Sequence, residues 1–383
     1  MAGPETIAPP TGLYIHWPFC DRICPYCDFT VARNRNVDEK AWQDALLSDM
    51  AFWAECAGTR SLTSLYFGGG TPSLMSPSLV AALVEGAGTY FRFDENIEIT
   101  LETNPTDAEH QKFQAFRDAG VNRLSLGVQS FDDGQLAFLG RNHNGISARL
   151  AVEAAVSTFS HVTFDLIYAL PGEGTAAWRR RLESALSIGA AHMSLYQLTV
   201  EAGTAFDKAV ARGAWSPPDE DLSADLYALT GEVMAGAGMP AYEVSNYARP
   251  TARAVHNSLY WHGHDWLGIG PGAHGRLQLG GERCSTVGRP APTYYTSLLP
   301  HERFEIEALN QEAVVTERIA GGLRPVEGVR WDEFPSEVRS RFTSVRAELV
   351  ESGLLVDRPD RIQATSDGRL LIDYIIKQFV LSL

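Results

Sequence analysis

From Gly12 onward the chain alternates short apolar runs with amphipathic stretches of helical period. The runs are Leu13–Trp17, Ser64–Phe67, Ile97–Glu102, Arg123–Val128, Val162–Tyr168 and Met193–Leu198, each with the length and composition of a strand. Between them the apolar spacing predicts helices over 38–56, 76–91, 107–119, 147–158 and 175–187, with start signals at Asp38, Ser76-Pro77 and Asp107. Strand-then-helix units repeated without strand-only stretches predict a parallel sheet with helices outside. A full eight-unit barrel needs two further repeats that this pattern lacks. The expected fold class is therefore α/β, a partial (βα)6 barrel of the TIM type.

The ends of the chain read differently. Residues 1–11 are Pro-rich, carry no apolar signal core and predict a disordered tail. The barrel is expected over 12–237, followed by a connecting segment, 238–300, that covers it. After about residue 300 the pattern becomes helices (311–321, 336–351), a short hairpin around Gly353-Leu354-Leu355 and Arg361–Thr365, and a last helix over 369–381. That order predicts a winged-helix-like C-terminal module, 301–383, packed against the barrel.

Polar and glycine-rich signatures fall almost entirely just after the apolar runs. Cys20-Asp21-Arg22-Ile23-Cys24-Pro25-Tyr26-Cys27 follows the first, Gly68-Gly69-Gly70-Thr71-Pro72 the second and Glu102-Thr103-Asn104-Pro105 the third. Gly127-Val128-Gln129-Ser130 closes the fourth, Asp165 lies in the fifth, and Gln197 to Glu201 closes the sixth. In parallel α/β barrels the C-terminal strand ends share one face, and that face carries the site. This placement points to a single functional site.

Three cysteines spaced C-x3-C-x2-C can aim soft thiolates at one inorganic centre. Three is one short of the four irons of a cubane cluster, which leaves an open iron position. A structural zinc site with His16, or three unliganded thiols, fits the same eight residues. The glycine triplet strips side chains from the backbone so that a ligand can approach its N–H groups, or it makes a tight strand-to-helix turn. No Lys-Ser/Thr follows it, so it is not a nucleotide triphosphate loop. Glu102, Gln129, Arg141 and Asp165 supply carboxylates and polar groups suited to ribose hydroxyls and an amino group, although each alone also reads as a cap or surface residue. The segment from Val255 to Trp266 is rich in histidine and aromatic residues. It fits contact with a flat macrocycle, with histidine on its iron, and equally an aromatic rim over the barrel. Gly268-Ile269-Gly270-Pro271-Gly272-Ala273 superficially fits a dinucleotide fingerprint, but Pro271 spoils the helix start, so it reads as a backbone-approach loop near the same site. Cys56 and Cys284 read as isolated, inert thiols.

Bulk composition narrows the classes. A formal charge of −15 argues against a nucleic-acid surface, and Arg179-Arg180-Arg181 reads as a solvated helix face. Five cysteines, three of them clustered, do not resemble a secreted disulfide framework. With no stretch approaching a membrane span, the expected compartment is cytoplasmic and reducing.

Tyr14-x-His16-x-Pro18-Phe19-Cys20 with Cys24 and Cys27, Gly68–Pro72, Glu102–Pro105, Gly127–Ser130, Asp165–Pro171 and Gly322-Leu323-Arg324 together resemble the coproporphyrinogen III oxidase-like branch of the radical S-adenosylmethionine (SAM) superfamily. The resemblance runs from about residue 12 to the end. It implies that Cys20, Cys24 and Cys27 bind a 4Fe-4S cluster whose fourth iron takes SAM. It also implies that Tyr26 lies by the adenine and that Gly69, Gly70 and Thr71 contact the methionine end. Tyr14, Glu102, Gln129, Arg141 and Asp165 match SAM-shell positions, and Thr199 and Gly272 are further carry-overs. The oxidases of that branch continue C-x3-C-x2-C with x-C, whereas Asp28 and Phe29 follow Cys27 here. His256-Asn257-x-x-Tyr260-Trp261 matches the H-N-x-x-Y-W motif of the branch's heme chaperones, which implies heme binding at His256. The expectation is a heme chaperone that passes heme to a respiratory or membrane acceptor, with flavodoxin as a possible electron donor. Oxygen-independent coproporphyrinogen decarboxylation in porphyrin biosynthesis, and a zinc-stabilised binding module, are the alternatives.

Overall fold

The computed structural model describes residues 10–33, 36–58, 60–106 and 111–383. Its spine is an eleven-stranded sheet. Strands β1 (Thr11–Trp17), β2 (Ser61–Gly69), β3 (Arg92–Thr103), β4 (Arg123–Gln129), β5 (His161–Tyr168) and β6 (His192–Gln197) lie side by side in chain order. All five pairings among them are parallel. These are the six strands expected from the apolar runs, and the partial α/β barrel is borne out. Within β1 the apolar residues Leu13, Ile15 and Trp17 are buried in the main core, and the alternate positions Tyr14 and His16 point to the other face.

The helices bury one stripe each against this sheet. Helix α1 (Glu39–Ala57) starts where the Asp38 carboxylate accepts from Ala41 N at 3.1 Å, and it packs Trp42, Leu46, Met50 and Trp53 inward. Each such fully buried side chain contributes roughly 1.5–3 kcal/mol. Helix α2 (Pro77–Tyr90) is capped by Ser76, with Pro77 in the first turn. Of the helix expected over 107–119, residues 107–110, and with them Asp107, lie outside the described residues, and α3 spans Phe113–Asp118. A short helix, α4 (Asp133–Phe138), precedes α5 (Gly145–Thr158), which begins two residues before 147 because Asn144 and Ser147 cap each other. Helices α6 (Thr175–Leu186), α7 (Ala205–Ala211) and α8 (Glu220–Gly236) follow. On α6, Arg181 turns inward from the expected solvated face. It pairs with Glu173, donates to Ile167 O and lies over the Trp178 ring.

The segment 238–300 does more than cover the barrel. Strand β7 (Asn246–Ala248) closes the β6 edge in antiparallel fashion. After helix α9 (Val255–Trp261), β8 (Asp265–Ile269) inserts parallel to β1 on its other side. Strands β9 (His274–Leu279), β10 (Glu282–Gly288) and β11 (Phe304–Ala308) extend that edge in antiparallel order. Phe304 therefore belongs to the main core, and the sheet runs past the expected boundary at 301. Residues 1–9 of the expected tail lie outside the described residues, whereas Thr11 is already buried in β1.

Beyond Ala308, helices α10 (Gln311–Gly322), α11 (Ser336–Glu351), α12 (Ser366–Leu370) and α13 (Ile372–Leu381) enclose a second core around Ile319, Phe342, Ile375 and Phe379. Leu355 bridges Ala364 as the expected hairpin requires, and Arg361–Ile362 pairs with Val329–Arg330 as well. This module docks on the sheet through Arg276–Glu317, through Arg318 Nη1 donating to Trp261 O at 2.9 Å, and through Val326 N donating to Tyr242 O at 3.1 Å. Among the described residues no helix is long and apolar enough to cross a membrane.

Candidate functional site

The strand ends converge as the motif positions require. Cys20 closes a two-residue strand, Phe19–Cys20, that pairs with Ala32–Arg33, so the thiol loop is a closed excursion from the end of β1. Cys27 N donates to Cys24 O at 3.2 Å, a turn that sets these two thiols close in sequence on one arc. Thr71 Oγ1 donates to Cys20 Sγ at 3.6 Å, and Arg141 Nη1 donates to Cys24 Sγ at 3.3 Å. Burial pushes the Cys20 thiol up to about 11, opposed only in part by the Thr71 hydrogen bond. A thiolate there needs a cation to stabilise it, which is what an iron supplies. Among the described residues no three His, Cys, Asp or Glu side chains are set to hold one metal ion. A cubane hands each thiolate its own iron, so its three sulfurs do not need to meet at a point.

The glycine triplet is demanded by packing. A Cβ on Gly70 would sit 2.7 Å from Phe19 O and 3.0 Å from Cys20 Sγ. One on Gly69, whose φ is +108°, would sit 2.6 Å from the His16 ring, and one on Gly68 would meet Tyr14 at 2.8 Å. All three glycines thus have a steric reason beyond ligand approach or a tight turn. The same tight approach brings the Gly69-Gly70-Thr71 backbone against the thiol loop.

The polar shell lines a pocket of about 390 Å³ shared by Cys20, Cys24, Cys27, Tyr26, Gly69, Gly70, Thr71, Glu102, Gln129, Arg141, Asp165 and Thr199. Glu102 accepts from Tyr66 Oη at 2.8 Å and from Gly69 N at 3.2 Å. Burial pushes it up to about 7 despite those bonds. Burial, then the Glu102 charge, pushes Asp165 up to about 7 as well. Burial also raises Tyr26. Arg141 donates to Asn104 Oδ1 at 2.5 Å and Gly127 O at 2.7 Å, while its Nε is buried without a partner. Gln129 holds a left-handed backbone, φ +68°, at the bulged end of β4, and its Oε1 is likewise buried and unpartnered. A strained residue with an orphaned amide oxygen at the wall of a pocket is what a polar ligand would satisfy. The donor set therefore fits a cationic, hydroxyl-bearing cosubstrate beside a thiolate-bound cluster. Asn104, Tyr66 and Tyr196 complete the surroundings and escaped sequence reading. Asn104 Nδ2 donates to Thr71 Oγ1 at 3.2 Å, and its place beside Glu102 in one motif was the available signal.

Three expected site residues sit elsewhere. Tyr14 lines the adjoining cleft, its hydroxyl 3.1 Å from His16 Nδ1 and its ring stacked on Tyr66. Gly272 faces Thr30, where a Cβ would meet Oγ1 at 2.6 Å, so it serves close backbone approach in the adjoining cleft. His256 is the clearest departure. Its Nδ1 is 2.7 Å from Ser64 Oγ, its Nε2 is 2.6 Å from Tyr260 Oη, and it is buried under Tyr66. Burial alone holds its pKa down to about 3. With both nitrogens engaged, the ring offers none to an iron; it braces α9. Of the isolated thiols, Cys284 is buried but Cys56 is exposed.

Gly69 and Glu102 also line a second, larger cleft of about 720 Å³, walled by Phe29, Tyr260, Trp261 and Trp266 and by arginines from the sheet and from α10. The thiol pocket adjoins this cleft, and the two also share Asp28 and Phe29.

Residues 14–184 match the radical SAM superfamily. The chain is 36% identical to radical S-adenosyl methionine domain-containing protein 1, mitochondrial, of Bos taurus over 98% of this chain and 89% of the relative. It is 36% identical to heme chaperone HemW of Mycobacterium tuberculosis over 96% of this chain and 94% of that one. With heme chaperone HemW of Lactococcus lactis it shares 32% identity over 97% and 98%. Among solved structures it superposes on coproporphyrinogen III oxidase (HemN) from Escherichia coli with a TM-score of 0.81 at 22% identity, covering 99% of this chain and 92% of that one, a likeness of fold.

Proposed function

This chain belongs to the radical SAM superfamily, in the group that includes the heme chaperone HemW, and we propose that it is itself a heme chaperone carrying a SAM-ligated 4Fe-4S cluster. The carrying observation is the junction of two cavities. A small thiol-lined pocket with orphaned polar atoms shares Gly69 and Glu102 with a larger aromatic cleft bearing arginines. Cys20, Cys24 and Cys27 would hold the cluster. Glu102, Asp165, Gln129 and Arg141 would bind and orient SAM, and Tyr26 and Thr199 would close its sides. When bound and reduced, the cluster would supply an electron to the sulfonium. Heme, as cargo, would pass to a respiratory or membrane acceptor in a cytoplasmic setting, with a flavodoxin-type electron donor.

The absence of a cysteine at Phe29, where the oxidases of the branch carry one, favours this reading over radical decarboxylation of coproporphyrinogen III. Anaerobic reconstitution followed by iron, sulfide and heme analysis tests it. Uptake of heme together with iron and labile sulfide supports it. Conversion of coproporphyrinogen III with SAM and a reductant would replace it with the decarboxylase. Zinc without sulfide would replace it with a structural module.

A further inference from the structure

We infer that heme sits in the cleft between strands β8 and β9 of the sheet and helix α10, with His274 as the protein ligand to iron and Arg324 as the anchor of a propionate. This rests on the heme-chaperone reading and assigns its site. The cleft, at about 720 Å³, lies within the range of roughly 300–1,000 Å³ typical of small-molecule sites. Trp261, Trp266 and Tyr260 give it flat apolar walls suited to a macrocycle.

The ligand follows by elimination. Two histidines line the cleft, His16 and His274. His16 spends Nδ1 on Tyr14 Oη at 3.1 Å and Nε2 on Thr30 O at 2.8 Å. The His274 side chain is exposed, and no hydrogen bond or ion pair among the described residues engages its ring. Its backbone, by contrast, is clamped. Trp266 Nε1 donates to His274 O at 3.0 Å, and Gly268 leaves room for that carbonyl, where a Cβ would stand 2.2 Å away. A fixed backbone carrying a free imidazole is a preorganised iron ligand.

The anchor follows in the same way. Of the cleft arginines, Arg276 pairs with Glu317, Arg283 with Asp265 and Arg318 with Glu333. Arg324 lies 5.4 Å over the Trp261 ring and has no carboxylate partner among the described residues. In an acidic chain, an arginine left unpaired in a cavity is suited to an anion that arrives from outside.

Hemin and iron-free protoporphyrin IX, titrated separately into the reconstituted full-length protein and followed by absorbance, separate the two roles. For His274→Ala the expected result is a changed Soret band and hemin affinity weakened roughly tenfold or more, with protoporphyrin IX binding as in the parent. For Arg324→Gln both porphyrins weaken, by roughly tenfold to a hundredfold, with the hemin Soret position unchanged. His301→Ala, an exposed histidine outside the cleft, binds like the parent. His274→Met restores a low-affinity, spectrally distinct hemin complex, which separates ligation from folding. If His274→Ala keeps the parent's hemin spectrum and affinity, the assignment is overturned while the chaperone reading stands. If the parent itself binds no hemin, both fall.

Discussion

Replacing Glu98 by alanine should destabilise the protein more than any comparable change on the same strand. Glu98 is buried near the middle of β3, and its carboxylate accepts from Arg123 Nε at 2.8 Å and from Val255 N and His256 N at 3.0 Å each. It thereby does for α9 what the helix's own Ala254, which has no capping oxygen, does not. In the alanine variant Arg123 keeps its bonds to Thr163, Ala252 and Arg253 but loses its counter-charge in the interior. Removing one partner of a buried pair costs about 3–5 kcal/mol. At roughly 2–4 °C per kcal/mol the melting temperature falls by on the order of 10 °C. Thermal and urea unfolding of the reduced protein, read by circular dichroism, measures this, with exposed Glu95→Ala as a control expected within about 0.5 kcal/mol of the parent. The double variant with Arg123→Ala should recover part of the loss, because both charges are then gone. Because α9 carries Tyr260 and Trp261 to the cleft, hemin affinity should drop in parallel. An Glu98→Ala protein within 1 kcal/mol of the parent would refute the reasoning that this pair holds α9 in place.

Gly70→Ala should leave the protein folded but lower its iron and sulfide content, since the added Cβ strikes Phe19 O and Cys20 Sγ at the base of the thiol loop; metal analysis of the two reconstituted proteins decides it. SAM binding should strengthen as pH rises through about 7, because Glu102 and Asp165, both raised to about 7 by burial, must be ionised to meet a cation. Calorimetry in buffers of different ionisation heat should show protons released on binding near pH 7, and a flat profile would contradict it. The same two carboxyls bind more protons folded than unfolded between the ordinary carboxylate range and about 7. Their contribution to the SAM-free protein is therefore full below that range and lost as pH rises through it, a trend that urea titrations at pH 5 and pH 8 would expose.

The strands β1–β6 were legible because each is an apolar run bounded by turn residues and followed by a helical period. Strands β8–β10 were not, since residues 265–288 are broken by glycine, histidine and arginine and look like loop. Leu277-Gln278-Leu279-Gly280-Gly281-Glu282-Arg283-Cys284 nevertheless holds a two-glycine hairpin, with φ of +58° and +92° at the turn, and this signal was there to be read. At the site, residues whose chemistry is local could be picked out in sequence: the thiol loop, the glycine triplet and Glu102 all stand at strand ends. Residues whose role depends on distant partners could not. His256 matched a motif, but Ser64, brought in from β2, takes one of its nitrogens, and Tyr260 takes the other. Arg324 stands in the Gly322-Leu323-Arg324 motif, but nothing in the sequence marks it and His274 as neighbours; the docking of α10 against β8 and β9 brings them to one cleft.

Electron paramagnetic resonance of the anaerobically reconstituted and reduced protein, recorded with and without SAM, tests the central claim most directly. Three thiolates holding a cubane with one exchangeable iron predict a 4Fe-4S signal whose g-values shift when SAM is added, in the parent and not in a Cys24→Ala variant. A signal indifferent to SAM, or a protein that holds zinc and no sulfide, would contradict it.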